Sequence, residues 1–240
     1  LCEVTKKPVK MNAINKIATT MLMVFCMTGM WAQKGDWAQL ERYSDDNEKA
    51  KLLPQEQRRV VFFGNSITDV WAQIHPEFFK SNGYIGRGIS GQTTYKYIVR
   101  VREDVINPKP KYVVIGGAIN DIAENTNPYN EDITMGNIIS IVELLKANKI
   151  KPIIASVLPA AFIPWDRNIR NVPEKVASLN ARLKAYAKKN KIVYADYYPL
   201  LVHGEDRALN PRYTHDGVHP TEKGYEVMEK YIQGILKKLL

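Results

Sequence analysis

The sequence has little cysteine, because its 240 residues contain only Cys2 and Cys26. Both lie within the first 33 residues, a segment that we expect to be removed. The remaining chain then has no thiol, which excludes a disulfide framework, a cysteine nucleophile and a thiolate metal site. Its stability must come from its packed core alone.

The chain also lacks an apolar run with the length of a standard membrane span near its start. Lys16 precedes a mainly apolar stretch over residues 17–32, which has the length of a signal-peptide core. Met11 fits as the natural start, and cleavage near Gln33 predicts export to the periplasm or the extracellular space. No stable membrane span would remain after cleavage. An uncleaved N-terminal anchor helix is the alternative.

Clusters of one charge are missing too. The formal net charge is +9, but the basic residues are scattered or occur in short pairs such as Lys188 and Lys189. Proteins that bind nucleic acid more often collect such residues on one face, so no nucleic-acid partner is predicted. There is no low-complexity segment and no internal repeat, and the length suits one sizeable domain.

Short apolar runs alternate with segments of helical periodicity, which predicts a parallel sheet with helices on both faces. Residues 1–33 are read as upstream sequence plus the leader, residues 34–57 as a polar lead-in and residues 58–240 as the domain. The predicted strands lie at 59–63, 84–85, 111–115, 152–157 and 191–195, and the predicted helices at 94–106, 134–148, 172–189 and 221–240.

Polar residues follow the predicted strands, where ligands bind in such sheets. Ser66 follows the first strand, whereas Asp216 and His219 precede the last helix. A serine hydroxyl needs a base to become a nucleophile, and His219 is the candidate base, with Asp216 to orient it. Taken alone, Ser66 is more typical of a helix cap.

Acyl transfer also needs hydrogen-bond donors for a developing oxyanion. The candidates are the N–H groups of Ser66 and Gly88 and the side-chain amide of Asn120. Alone, Asn120 is more typical of a turn residue.

Together, these residues resemble the GDSL, or SGNH, hydrolases, which are named for a Ser, a Gly, an Asn and a His in four blocks. The four correspond to Ser66, Gly88, Asn120 and His219, with Asp216 as the partner of the histidine. The resemblance runs from about residue 60 to residue 225. It implies a three-layer α/β/α fold, with a doubly wound, flavodoxin-like parallel sheet of about five strands, and metal-independent ester hydrolysis.

Two positions depart from the family pattern. Asn65 stands where the family name has Asp, and little effect is expected because this side chain is not a reacting group. Ala118 stands where the third block usually has Gly, two residues before Asn120. If this turn needs a positive φ, Ala costs energy there that Gly does not.

Several residues fit other kinds of site in part, but those sites are not predicted. Residues 86–91 match the Gly-x-Gly-x-x-Gly pattern of dinucleotide sites, but no acidic residue follows the next strand to hold a ribose. Neither a metal site nor a cofactor is predicted. His215 lacks the aspartate three residues earlier that His219 has, and Asp69 and Asp121 are expected to hold loops.

The substrate is inferred more loosely. Trp71, Trp165 and Tyr213 lie near catalytic segments and are candidates for an aromatic platform, although each could equally belong to the core. An acetylated carbohydrate or another small ester is the preferred substrate, and a lysophospholipid or other lipid ester is the alternative. A non-catalytic carbohydrate-binding domain on the same fold is the alternative from another class.

Overall fold

Five parallel strands form the central sheet of the computed structural model, which describes residues 35–240. Their spatial order is β2-β1-β3-β4-β5, the doubly wound order of flavodoxin-like folds, so the predicted fold is confirmed. The strands are β1 (Val60–Gly64), β2 (Tyr84–Gly88), β3 (Tyr112–Ile115), β4 (Lys151–Ala155) and β5 (Val193–Ala195).

The central strands consist of apolar runs because both of their faces are covered. Every residue of β1 is buried, as is every residue of β3. Phe62 of β1 lies among aromatic rings, including those of Trp71 and Phe79, on one side of the sheet. Phe63 points to the other side and packs against Tyr97.

Helices follow the strands on both faces. The main ones are α1 (Ser44–Leu52), α2 (Ser66–Ile74), α3 (Pro76–Asn82), α4 (Thr94–Val101, continued by a π-helical turn at Arg102–Ile106), α5 (Ile119–Ile122), α6 (Glu131–Ala147), α7 (Val172–Lys189), α8 (Tyr198–Leu201) and α9 (Glu222–Leu239). A small hairpin pairs β6 (Val202–His203) with β7 (Ala208–Leu209), and single 3₁₀ turns lie at Leu40–Tyr43 and Gln55–Gln57.

The predicted helices agree with α4, α6, α7 and α9 to within a few residues at their ends. A helix after the first strand is implied where Ser66 is weighed as its cap, but neither the bounds of α2 nor the separate helix α3 are predicted. Both helices are short, and His75 separates them. Pro76 begins the second helix, where proline is favoured because the first N–H groups of a helix have no partner within it.

The segment before β1 packs against the domain through polar side chains. Asn47 of α1 is 3% exposed and donates a 2.8 Å hydrogen bond from Nδ2 to Asp104 Oδ1. Its Oδ1 accepts a 2.7 Å bond from Arg87 Nε on β2. One compact unit therefore runs from Ala38 to Leu240.

The expectations about the leader, including cleavage near Gln33, lie outside the described residues. Within residues 35–240, no helix combines the length and the apolar character that crossing a bilayer requires.

Candidate active site

The carboxyl ends of three neighbouring strands bring the predicted loops together. Gly64 at the end of β1 lies beside Gly88 at the end of β2, in the register of the parallel ladder. On the other side of β1, Phe63 lies beside Ile115, which ends β3. The Ser66, Gly88 and Asn120 segments therefore leave the sheet at the same edge.

Ser66 is the first residue of α2 and is 8% exposed. Asn65 caps this helix, because its Oδ1 accepts a 3.1 Å hydrogen bond from the N–H of Ile67. Within a helix the first N–H groups have no partner, and the helix dipole makes this end positive. The N–H of Ser66 thus lies where a developing negative charge is stabilised.

The structure brings the three predicted relay residues into contact. Ser66 Oγ lies 2.8 Å from His219 Nε2. His219 Nδ1 lies 2.6 Å from Asp216 Oδ2. A serine hydroxyl, an imidazole and a carboxylate are thus connected in the order that proton removal from Ser66 requires.

Asp216 holds the loop as well as the imidazole. Its Oδ1 accepts hydrogen bonds of 2.8 Å from the N–H groups of both Val218 and His219. Burial raises the pKa of Asp216, but the hydrogen bonds from the side chain and N–H of His219 and from Val218 outweigh it and lower the pKa below its ordinary value. The carboxylate therefore remains ionised at neutral pH.

Gly88 occupies a position where no side chain fits. A Cβ atom built there would lie 2.1 Å from the nitrogen of Asp69 and 2.6 Å from the carbonyl oxygen of Asn65. The backbones of the two loops touch at this point. The hydroxyl of Tyr43, in the segment before β1, donates a hydrogen bond to the carbonyl of Gly88.

The Ala118 turn does require a positive φ. Ala118 has φ 73° and ψ −2°, in the left-handed region, directly after Gly117 with φ 106°. Asn120 is nonetheless held firmly, since it is 1% exposed and its Nδ2 donates a 3.0 Å hydrogen bond to the carbonyl of Gln92. Its amide carries a second N–H that can serve an oxyanion.

Of the three candidate aromatic residues, Trp165 lies at the site. Its ring centre is 6.1 Å from that of His219, and the residue is 45% exposed. Its Nε1 donates a 3.0 Å bond to Asn125 Oδ1, a positioning partner that the sequence did not reveal. Trp71 does not belong to an aromatic platform at the site, because it is 2% exposed and stacks on Tyr225 in the core.

The remaining candidates take supporting positions. Tyr213 is half-buried and packs against the core, and the exposed His215 shares a surface depression with His219. Asp69 accepts hydrogen bonds from the N–H and hydroxyl of Ser90, and so holds the loop that follows Gly88.

Asp121 accepts hydrogen bonds from the N–H and hydroxyl of Thr94 at the start of α4. Within residues 35–240, no group of three or more His, Cys, Asp or Glu side chains is placed to hold a metal ion.

A serine–histidine–aspartate relay at the carboxyl edge of a three-layer α/β/α sheet defines the class of serine hydrolases. Residues 62–227 match the model of the GDSL-like lipase/acylhydrolase family, and the chain belongs to this family. It is accordingly an ester hydrolase, and the predicted family is confirmed.

Two solved structures from Bacteroides are similar over most of the chain. A GDSL-like lipase from Bacteroides thetaiotaomicron is 56% identical, with a TM-score of 0.82, covering 85% of this chain and 100% of that one. An acylhydrolase, so named, from Bacteroides fragilis is 58% identical, with a TM-score of 0.84, covering 86% and 99%.

A curated relative is larger. The N-acylneuraminate cytidylyltransferase of Escherichia coli is 26% identical over 179 residues, which are 74% of this chain. The match covers 40% of the length of that relative.

Proposed function

We propose that this protein hydrolyses esters through an acyl-enzyme on Ser66. The observation that carries the proposal is the relay from Ser66 Oγ through His219 to Asp216, with distances of 2.8 Å and 2.6 Å. Ser66 Oγ attacks the ester carbonyl while His219 Nε2 takes its proton. The tetrahedral intermediate then collapses, the C–O bond to the alcohol breaks, and His219 returns the proton to the leaving alkoxide.

Water completes the cycle. His219 removes a proton from a water molecule that attacks the acyl carbon, and Ser66 leaves with the proton that His219 gives back. Asp216 keeps the imidazole in the tautomer that accepts at Nε2. The oxyanion of both intermediates is assigned to the N–H groups of Ser66 and Gly88 and to the amide of Asn120.

The test of this mechanism is a pair of variants assayed on p-nitrophenyl acetate. Ser66→Ala and His219→Ala should each lower kcat by more than about 10³-fold with unchanged melting temperature. His215→Ala is the matched control from the same loop and should retain wild-type kcat. Hydrolysis at the wild-type rate by the Ser66→Ala protein would overturn the mechanism. A wild-type protein that binds sugars but neither turns over nor reacts with a fluorophosphonate would instead be a binding domain.

We propose that the natural substrates are acetyl groups on carbohydrates. Trp165 supports this, because an exposed indole face beside His219 suits the apolar face of a sugar ring. The name of the E. coli relative includes a sugar, N-acylneuraminate, and this supports a carbohydrate substrate.

Acetate release from acetylated xylan and pectin, compared with hydrolysis of p-nitrophenyl palmitate, tests the substrate class. We expect efficient acetate release and little palmitate hydrolysis. Trp165→Ala should raise KM for the glycan by about tenfold, whereas Trp165→Phe should raise it less because a ring remains. A preference for palmitate or a lysophospholipid would reject the carbohydrate assignment.

We also propose that the protein is exported, on the basis of Lys16 and the apolar stretch over residues 17–32. Expression of the full chain with its N-terminal segment should yield a processed protein outside the cytoplasm. N-terminal sequencing that finds the apolar stretch intact would contradict cleavage.

A further inference from the structure

A buried arginine contacts the segments that carry or hold the three candidate oxyanion donors. Arg100 of α4 is 0% exposed, and its guanidinium lies 4.2 Å from the centre of the Phe63 ring. An arginine offers five N–H donors in a rigid plane, so a single side chain can fix several acceptors relative to one another. Its contacts reach four different segments of the chain.

The first contacts of Arg100 are to the ends of β1 and β2. Nη2 donates a 2.6 Å hydrogen bond to the carbonyl of Gly64, and Nη1 donates a 3.0 Å bond to the carbonyl of Arg87. The Arg87 carbonyl belongs to the same planar peptide group as the N–H of Gly88. Arg100 therefore orients the peptide that presents the Gly88 donor, and it polarises that N–H.

The third contact connects Arg100 to Asn120. Nε donates a 2.6 Å hydrogen bond to Gln92 Oε1, and the backbone carbonyl of Gln92 accepts the 3.0 Å bond from Asn120 Nδ2. Gln92 is 0% exposed, and its Nε2 donates to the carbonyl of Ala38. Arg100 therefore fixes the Gln92 loop, whose backbone carbonyl orients the amide of Asn120.

The Gly64 carbonyl belongs to the peptide that leads into Asn65 and Ser66. This carbonyl also accepts a 3.1 Å hydrogen bond from the N–H of Ile89. Arg100 therefore contacts the place where the loop after β1 meets the loop after β2. Asp104 Oδ2 accepts a 2.7 Å bond from Nη1 and balances the buried charge. Without that partner, an arginine in the core would be strongly unfavourable.

We propose that Arg100 is the positioning residue of the oxyanion hole, which it sets by fixing the Gly88 peptide and the Gln92 loop in one rigid plane. It does not touch substrate, since it is completely buried. This inference rests on the proposed esterase function. It differs from a purely structural role in its consequence, because the loss of Arg100 affects the transition state more than substrate binding.

The test is Arg100→Lys, which keeps the positive charge but cannot bind all four acceptors of the planar guanidinium. We expect kcat for p-nitrophenyl acetate to fall about 10- to 100-fold with KM changed less than about threefold, since one lost oxyanion donor costs about 10²–10³. The affinity for a boronic acid that mimics the tetrahedral intermediate should fall in parallel. Val142→Ala, a destabilising core variant on α6, is the matched control and should change neither quantity.

Gln92→Met provides a second variant should Arg100→Lys fail to fold. It removes the acceptor of Arg100 Nε while leaving the Gln92 backbone in place, and its kcat should fall about tenfold. In an Asn120→Ala background, the same change should cost less, because the two residues act through one donor.

The outcomes separate this inference from the proposed function. A folded Arg100→Lys protein with wild-type kcat, or one whose boronic acid affinity is unchanged, overturns the role of Arg100 while Ser66-dependent hydrolysis still stands. If Arg100→Lys does not fold, wild-type kcat in Gln92→Met overturns it. A wild-type protein without esterase activity overturns both proposals together.

Discussion

At the scale of single residues, Ala118 holds a conformation that alanine rarely adopts. Its φ of 73° costs about 1–2 kcal/mol relative to a right-handed residue. Ala118 is 2% exposed, so its methyl group recovers part of that cost through packing. The turn keeps its shape because Asn120 is anchored separately to Gln92.

Two substitutions at Ala118 therefore should differ in their effect on stability. Ala118→Gly relieves the strain but loses a buried methyl and adds chain entropy, so the free energy of unfolding should stay within about 1 kcal/mol of wild type. Ala118→Val places a β-branched residue at positive φ and should cost about 2–4 kcal/mol and lower kcat. Urea unfolding and p-nitrophenyl acetate kinetics measure both. Equal behaviour of the two variants would show that backbone strain at this turn is unimportant.

The carboxylate of Asp216 is the second residue-scale case. In Asp216→Asn the side-chain oxygen can still accept from the backbone, but the amide can present N–H to His219 Nδ1 and favours the wrong tautomer. We expect kcat to fall about 10³- to 10⁴-fold with little change in KM. Steady-state kinetics at neutral pH test this, and a loss below about tenfold would mean that His219 is oriented without Asp216.

At the scale of secondary-structure elements, hydrogen bonds join α2 and α9, the two helices next to the candidate catalytic residues. Ser66 begins α2, and His219 lies just before α9. Glu229 Oε1 of α9 accepts hydrogen bonds from Trp71 Nε1 at 2.8 Å and from His75 Nδ1 at 2.7 Å. Glu229 lies ten residues beyond His219 in the chain, so we expect this clamp to support the site without taking part in the reaction.

Removing the clamp should cost stability more than activity. Glu229→Ala leaves the indole N–H of the buried Trp71 without its acceptor, so the free energy of unfolding should fall by about 1–3 kcal/mol. Kinetics at 20 °C should remain within about threefold of wild type. Glu226→Ala, on the exposed face of the same helix, should stay within about 0.5 kcal/mol. Equal stability of the two variants would rule out the clamp.

The same element scale shows what periodicity can predict. Strands β1 and β3 are recognisable because burial on both faces demands continuous apolar runs. Helix α6 is recognisable because its apolar side faces the sheet. The bounds of α2 and α3 could not be predicted, because both helices are short and the break at His75 interrupts the helical periodicity.

At the scale of the whole molecule, the candidate catalytic residues could be predicted from the sequence, because each has the chemical type that its proposed role demands. Ser66 and His219 are 153 residues apart, but their order in strand-end loops placed them at one edge. Arg100 and Gln92 carry no such signal. Their roles depend on which backbone carbonyls they reach, and that is set only by the three-dimensional packing of four segments.

Stability of the whole domain should depend on the buried carboxyl of Asp121. Burial raises its pKa from 3.8 to about 6, against hydrogen bonds from Thr94 and Thr134 that lower it. A raised pKa means that the folded state binds the proton more tightly. The tighter binding of this proton stabilises the folded state fully below pH 3.8, and the stabilisation is lost as the pH rises through about 6. The shift in pKa corresponds to about 3 kcal/mol in the free energy of unfolding.

Asp121→Asn isolates this contribution, because its amide oxygen can still accept from the N–H of Thr94 but cannot titrate. Urea unfolding of both proteins from about pH 4 to about pH 8 gives the difference in their free energies of unfolding, in which shifts shared by all other groups cancel. The wild type should lose stability relative to the variant as the pH rises, with most of the change between about pH 4 and pH 6. A difference that is flat across this range would show that Asp121 ionises in the folded protein as readily as in the unfolded chain. A difference of the opposite sign would show that the hydrogen bonds from Thr94 and Thr134 outweigh burial.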